Sequence, residues 1–471
     1  MVVIHVSAEC YPVAKVGGLG DVVGSLPKYQ QAAGITSMVV MPYYDRQFVR
    51  ESRLDVVFES EILMGGKTLP FQVLKESTDK LGYPLHLIRI PGLLDRSEIY
   101  SYPDETEQFV AFQLAFLEWL IQFGDKPDIV HCHDHQTGLI PFLMNHSFRY
   151  NQLTHIPTIL TIHNAQYQGW FGWDKYHYLP DVDPWKWGML DWEGTINSLA
   201  VGVKSCWKYT TVSPSYLEEL KYNSNGLEQL FIHEEKKSLG VINGIDTEVW
   251  NPATDPMIPC HYHSDNVSKG KQENKRAICK EFGLTLTKPL VAFIGRLVGE
   301  KGADLLPEAI SNTLESLKGK VSIMVLGSGE PEIEEALAGL RTTFKKDYNV
   351  FIGYDEALSH LIYAGADFII MPSRVEPCGL NQLYALRYGT IPVVRSTGGL
   401  KDTVIDYSQP EGYGICFEEA ESEAISHAIT RATELYSNTP GMRLLRKRMM
   451  SLDFSWHRSA SQYIDLYNSL K

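Results

Sequence analysis

Lysine, arginine, glutamate and histidine side chains recur beside glycines at the ends of short apolar runs, and these are the residues of this 471-residue chain with chemistry to offer. In GRLVGEKG, residues 295–302, Arg296 presents a planar fork of donors and Lys301 a mobile point charge, two ways of holding diphosphate oxygens. Glu376 lies in PSRVEPCGL, residues 372–380, where a carboxylate either holds sugar hydroxyls or attacks a sugar carbon. KVGGLGD, residues 15–21, sets Lys15 beside Gly17 and Gly18, whose missing Cβ atoms let a phosphorylated ligand approach the backbone. A second double glycine sits in STGGLKD, residues 396–402, and His163 closes the run PTILTIHN, residues 157–164. Neither glycine pattern is GxGxxG or Walker A, so no dinucleotide or ATPase assignment follows. Singly, each loop also reads as a plain strand-to-helix connection, and His163 as a structural histidine.

His131, His133 and His135 alternate along PDIVHCHDHQ, residues 127–136, a spacing that metal sites also use. Asp134 falls one residue too early for HxHxDH, and no second cluster of acids and histidines accompanies it, so a polar strand end is expected and no metal. The seven cysteines are dispersed without a CxxC pair, which indicates neither a disulfide framework nor a zinc ribbon. A net charge of −14 without a basic block argues against nucleic acid or an anionic membrane as the main partner. No apolar run reaches the length of a bilayer crossing, and Met1 leads straight into VVIHVSAE, so the cytoplasm is the expected location.

To present these groups together, the chain needs strands whose carboxyl ends share an edge, where open α/β sheets bind ligands. The sequence alternates β-rich runs with helical periods, the pattern of parallel sheets covered on both faces. Strands are predicted at 2–6, 34–41, 157–164, 209–212, 239–242, 290–294, 321–326, 348–352, 367–371 and 391–394, with a partly antiparallel region at 54–92. Helices are predicted from about 21 to 33, over 106–123, 303–317, 356–364, 379–388, 423–435 and 456–470, and around 442–449. Five of the nine tryptophans fall between 170 and 192, as faces for sugar rings, as a lid or as a small satellite core. The proline-punctuated stretch 246–275 is the best domain boundary. Expected domains are 1–250 and 251–455, with a helix over 456–471 crossing back to the first.

Taken in order, KVGGLGD, HCHDHQTG (131–138), TIHNAQYQG (161–169), NGID (243–246), GRLVGEKG, PSRVEPCGL and STGGLKD make the chain resemble the bacterial and plant glycogen/starch synthase family, over nearly its whole length. The resemblance implies an α/β fold of two Rossmann-like domains facing a deep interdomain cleft, the GT-B fold. It implies transfer of glucose from ADP-glucose, with UDP-glucose the other donor, to the nonreducing 4-hydroxyl of an α-1,4-glucan such as glycogen, with retention and without cofactor or metal. Another small-acceptor retaining glucosyltransferase and a noncatalytic glucan-binding relative are the alternatives.

By likeness, Arg296 and Lys301 contact the donor diphosphate, and Lys15 with the Gly17-Gly18 backbone lies against donor phosphate and glucose. Glu376 and the Cys378-Gly379-Leu380 backbone hold the sugar, Gly399 and Leu400 complete the pocket, and His163 approaches the reacting centre. Glu9 and Asp21 line the donor and acceptor side. His163, Arg296, Lys301 and Glu376 are the expected catalytic set. Three positions depart from the family pattern: His135 replaces a tryptophan, Asn381 a threonine, and Tyr384 the second glutamate of the wider fold family.

Overall fold

The computed structural model describes residues 1–124 and 126–471. It divides into two compact units, Met1–Gly244 with Trp456–Lys471, and Ile245–Ser455.

The first unit is built on a nine-stranded sheet. Its strands are β1 (Val2–Val6), β2 (Thr36–Pro42), β3 (Leu54–Met64), β4 (Lys67–Glu76), β5 (Leu85–Arg89), β6 (Ile129–His133) and β7 (Thr158–Ile162). A small separate sheet uses β8 (Trp170–Phe171), β9 (Asp191–Trp192) and β10 (Thr195–Asn197), and the main sheet resumes with β11 (Lys208–Thr211) and β12 (Ser238–Gly240). The order is β12-β11-β7-β6-β1-β2-β5-β4-β3, parallel except around the β3–β4 hairpin. Gly65 and Gly66, at φ +60° and +75°, make the two-residue turn of that hairpin, for which glycine removes the Cβ penalty. The central strands are apolar on both faces because helices cover both. Helix Gly18–Ala32 and the C-terminal helix Trp456–Asn468 pack on one face, with Val22, Leu26, Tyr29, Trp456, Tyr463 and Tyr467 against Val3, Ile129 and Ile159. Helix Glu105–Gln122 buries the stripe of Phe109, Phe112, Phe116 and Leu120.

The second unit carries six parallel strands: β13 (Leu290–Ile294), β14 (Ser322–Gly327), β15 (Tyr348–Ile352), β16 (Phe368–Met371), β17 (Ile391–Arg395) and β18 (Ile415–Phe417). Their order, β15-β14-β13-β16-β17-β18, is that of a Rossmann sheet, with direction reversing between β13 and β16. In the first unit the corresponding reversal lies between β1 and β6.

Three local departures from the sequence reading have physical causes. Residues 246–275 are not a polar linker: Ile258, Tyr262 and Val267 are buried in the second unit, and helix Val267–Phe282 runs through the end of the stretch. Lys271 and Lys275, which look solvent-bound in sequence, are buried. Lys271 Nζ donates to the carbonyls of Tyr363 and Ala364, and Lys275 Nζ sits 2.6 Å from Asp367 Oδ2. The helix expected from residue 379 begins only at Asn381, because Gly379 holds φ +76°, outside the right-handed helical region. Strand β18 and the small sheet are too short to leave a periodic signal.

Trp456 is 2% exposed among Val3, Val22 and Ile129. Trp456→Ala is expected to destabilise the first unit by about 3–5 kcal/mol, read as an earlier unfolding transition of that unit in urea with the transition of the second unit unmoved.

Candidate functional site

In the second unit three loops converge on Glu376. Two leave the adjacent strands β13 and β16, so they emerge at the topological switch point, and the third leaves β17 beside them. Lys301 Nζ lies 2.8 Å from both carboxylate oxygens of Glu376, and Ser373 Oγ donates to Oε2 at 2.8 Å. The backbone N–H of Arg374 donates to the Glu300 carbonyl at 2.9 Å, and that of Gly399 to the Glu376 carbonyl at 3.0 Å. Glycine is obligatory where these backbones touch. A Cβ on Gly302 would sit 2.3 Å from the Pro372 carbonyl oxygen, and one on Gly399 2.2 Å from that of Cys378.

The structure gives the predicted residues distinct stations. Arg296 is half-exposed, with Glu300 Oε2 at 3.6 Å, and so presents its fork outward. Lys301 is paired with Glu376 and is not a bare clamp; an ammonium carries three donors, which leaves one N–H beyond the two carboxylate contacts. Arg374, which the sequence also delivers to this edge, makes a two-pronged pair with Asp304 at 2.6 and 2.8 Å and braces the loop. Gln382 Nε2 ties the Cys378 and Gly379 carbonyls at 3.0 and 2.9 Å, while Leu380 packs partly against the core. The Leu400 side chain is fully buried with Met371, Val394 and Val404 and anchors the loop. Asn381 Nδ2 donates to the Ile294 carbonyl at 2.7 Å, and Tyr384 stacks on Trp250 at 3.7 Å, which gives both departures a structural partner.

In the first unit the loops after β1, β6 and β7 share one edge. Glu9 is 3% exposed; its Oε2 accepts from the N–H groups of Val16 and Gly17 at 2.6 and 3.1 Å, and its Oε1 from Tyr100 OH at 2.6 Å. Its carboxylate therefore shapes the glycine loop. Lys15 Nζ pairs with Asp21 Oδ1 at 2.6 Å on the surface. Gly17 and Gly18 face open space, and no side chain caps helix Gly18–Ala32, so its N-terminus offers backbone donors to an anion.

His163 follows β7 and is buried to 8% exposure, its backbone N–H donating to Asp134 Oδ1 at 2.6 Å. Asp134 itself stands at φ +57°, ψ −173°, a region that L side chains rarely occupy, so this turn holds strain. Burial pushes the Asp134 carboxyl up to about 7, although the backbone N–H groups of His163 and Asn164 pull the other way. His163 is pushed down to about 3 by burial. His135 lies against Phe109 and close under Gly169, filling packing space where the family pattern has tryptophan.

His131 and His133 do not line a cleft edge. They stack with His5 in the core, and the three offer ring nitrogens within 4.8 Å of one another. All six nitrogens are engaged in hydrogen bonds, with each other, His163, Gln30, Tyr467 and Thr161, so no lone pairs aim at a common ion. Sequence reasoning missed Asp134, His5, Gln30, Ser373 and Tyr467. The available signal was His5 facing His131 in register on neighbouring strands.

Of the tryptophans in the insertion, Trp173 and Trp192 donate their indole N–H groups to Asp191 and the Gly226 carbonyl, as in a satellite core. Trp185 is 93% exposed. Among the described residues no helix is long and apolar enough to cross a membrane.

Two Rossmann-like units whose switch-point loops carry glycine, basic residues and a paired glutamate define a GT-B glycosyltransferase. Residues 2–233 match the family described as "Starch synthase catalytic domain", and residues 274–446 match "Glycosyl transferases group 1". The chain is 53% identical to a glycogen synthase of Flavobacterium johnsoniae, over 99% of both chains. It is 38% identical to one of Thermodesulfovibrio yellowstonii, over 99% of this chain and 97% of that one. The catalytic domain of starch synthase IV from Arabidopsis thaliana, bound to ADP and acarbose, superimposes with TM-score 0.89 at 35% identity over 99% of both chains. The chain belongs to the glycogen/starch synthase family.

Because the folded pKa of Asp134 lies above its unfolded value of 3.8, its contribution to stability is fully present below that value and lost as pH rises through about 7. Asp134→Asn keeps an oxygen for the His163 N–H and removes the charge. Its melting temperature relative to the parent is expected to rise between pH 5 and pH 8, corresponding to about 1–3 kcal/mol; a difference that stays flat with pH would contradict the buried-carboxyl assignment.

Proposed function

We propose that this enzyme transfers glucose from ADP-glucose to the nonreducing 4-hydroxyl of an α-1,4-glucan, with retention at the anomeric carbon, in the cytoplasm. The observation that carries the reading is the convergence of the GRLVGEKG, PSRVEPCGL and STGGLKD loops on Glu376 and Lys301. The ADP bound to the Arabidopsis starch synthase domain supports the choice of adenine nucleotide.

The chemical demand is to stabilise negative charge on the departing diphosphate while the glucosyl carbon becomes oxocarbenium-like. Arg296 and Lys301 meet the first half, because preorganised cations act most strongly where charge develops in the transition state. Glu376 holds Lys301 in place and offers its remaining acceptor capacity to sugar hydroxyls. Lys301 and Ser373 engage both its oxygens, which disfavours a covalent nucleophile and favours front-face transfer, with leaving-group phosphate taking the acceptor proton. The Gly379 and Gly399 backbones take the sugar side of the donor. In the first unit, Lys15 and the Gly17-Gly18 backbone serve donor phosphate and glucose, Asp21 lies to the acceptor side, and His163 orients the reacting glucose. The second unit thus holds the nucleotide sugar, and the first adds groups to the donor phosphate and glucose and carries the acceptor side.

Lys301→Ala is expected to lower kcat for glucan elongation about 100- to 1,000-fold while glycogen binding is retained. ADP-glucose and UDP-glucose are to be assayed with the same glycogen. Turnover only with a small acceptor, or equal loss of transfer and glycogen binding in the variant, would overturn these assignments.

A further inference from the structure

A continuous line of hydrogen bonds runs from His163 through the core of the first unit to its C-terminal helix. His163 Nε2 lies 3.0 Å from His133 Nδ1, and His133 Nε2 lies 3.0 Å from His5 Nδ1. His5 Nε2 reaches Gln30 Oε1 at 2.8 Å, and Gln30 Nε2 donates to Tyr467 OH at 2.9 Å. Tyr467 OH is in turn 2.8 Å from His131 Nδ1, and His131 Nε2 is 2.6 Å from Thr161 Oγ1. His5, His131 and His133 are fully buried, and burial drives each of them toward the neutral form.

A neutral imidazole has one donor and one acceptor, so the polarity of such a line passes from ring to ring. An amide oxygen only accepts. With Gln30 Oε1 facing His5, His5 must carry its proton on Nε2 and leave Nδ1 bare. His133 must then donate from Nε2 into that bare nitrogen, which leaves its own Nδ1 to accept from His163. His163 is thereby held with its proton on Nε2, pointing inward. Among the described residues its Nδ1 has no protein partner, while the side chain keeps 8% exposure. Reversing the Gln30 amide would reverse every bond in the line and put a donor at that position. The hydroxyl of Ser37, 2.7 Å from Gln30 Oε1, fits either orientation because it both donates and accepts. The Tyr467 hydroxyl, which accepts from Gln30 Nε2 and faces His131 Nδ1, is equally two-sided, so the Gln30 amide is the group in the line whose two ends are not interchangeable.

We propose that Gln30, as the directional group of the line, is a positioning residue that sets the tautomer of His163 through His5 and His133, so that the Nδ1 lone pair is the acceptor offered to a hydroxyl of the bound sugar. The second half of this proposal rests on the reading of His163 as substrate-facing; the first half does not.

Ring-nitrogen NMR of the full chain labelled with 15N-histidine separates the two. In the parent protein His5, His131, His133 and His163 are all expected as Nε2–H tautomers; His163 found protonated on Nδ1, or a mixture of forms, would overturn the tautomer assignment without any variant. In Gln30→Met the line loses its directional group. His163 is then expected to become a tautomer mixture, with kcat for glucan elongation down about 10-fold and the donor KM changed less than about twofold. A folded Gln30→Met protein with an unchanged His163 spectrum would show that the line does not govern the tautomer. His163→Asn with undiminished transfer would instead remove the substrate-facing reading and leave the spectroscopic result to stand alone.

Discussion

Glu376 is a carboxylate withdrawn from water to 6% exposure, and such a charge persists only when a cation and hydrogen-bond donors answer it. Lys301 and Ser373 supply that answer, and supplying it dictates the path of the chain. To bring Lys301 within reach, its loop must press against Pro372, which only a glycine at 302 permits. To pass the Glu376 carbonyl, the loop after β17 must approach at Gly398 and Gly399 without side chains. The ion pair and the glycines therefore form one constraint: the glycines let the backbones close around the charge, and the charge ties two of the three loops together.

The first unit, apart from the Lys15–Asp21 pair on its surface, engages its buried edge groups through hydrogen bonds in place of ion pairs. Its edge loops carry a buried glutamate spent on backbone N–H groups, an aspartate whose proton affinity burial raises, and a histidine whose affinity burial lowers. Such an interior orients dipoles where the other unit concentrates charge. That division suits a reaction in which one partner leaves as an anion and the other is an uncharged carbohydrate.

Much of this was legible in the sequence. Parallel strands buried on both faces read as continuous apolar runs, and loops that start with glycine and a basic residue mark the sheet edge. What escaped was whatever depends on partners distant in the chain. Lys271 and Lys275 look like linker residues until the carbonyls of Tyr363 and Ala364 and the carboxylate of Asp367 arrive to satisfy them. That the Leu400 side chain belongs to the core, with Met371, Val394 and Val404, is likewise set by residues apart from it in sequence. The alternating histidines of β6 resembled a strand end facing ligand. Their partners, His5 and Tyr467, lie 126 and 336 residues from His131, and no local pattern announces them.

The return of residues 456–468 to the first unit has a consequence for biosynthesis. Domains tend to assemble in the order in which they leave the ribosome. Here Trp456 and Tyr467, which complete the hydrophobic cover and the polar line beneath His163, are translated only after the whole of the second unit. A nascent chain ending before them leaves Val3 and Ile129 of the sheet and Val22 of helix Gly18–Ala32 without the Trp456 and Tyr463 side chains that pack with them. The half of the enzyme that is made first is thus the half that matures last, a window in which a holding chaperone has a ready-made apolar surface to grip.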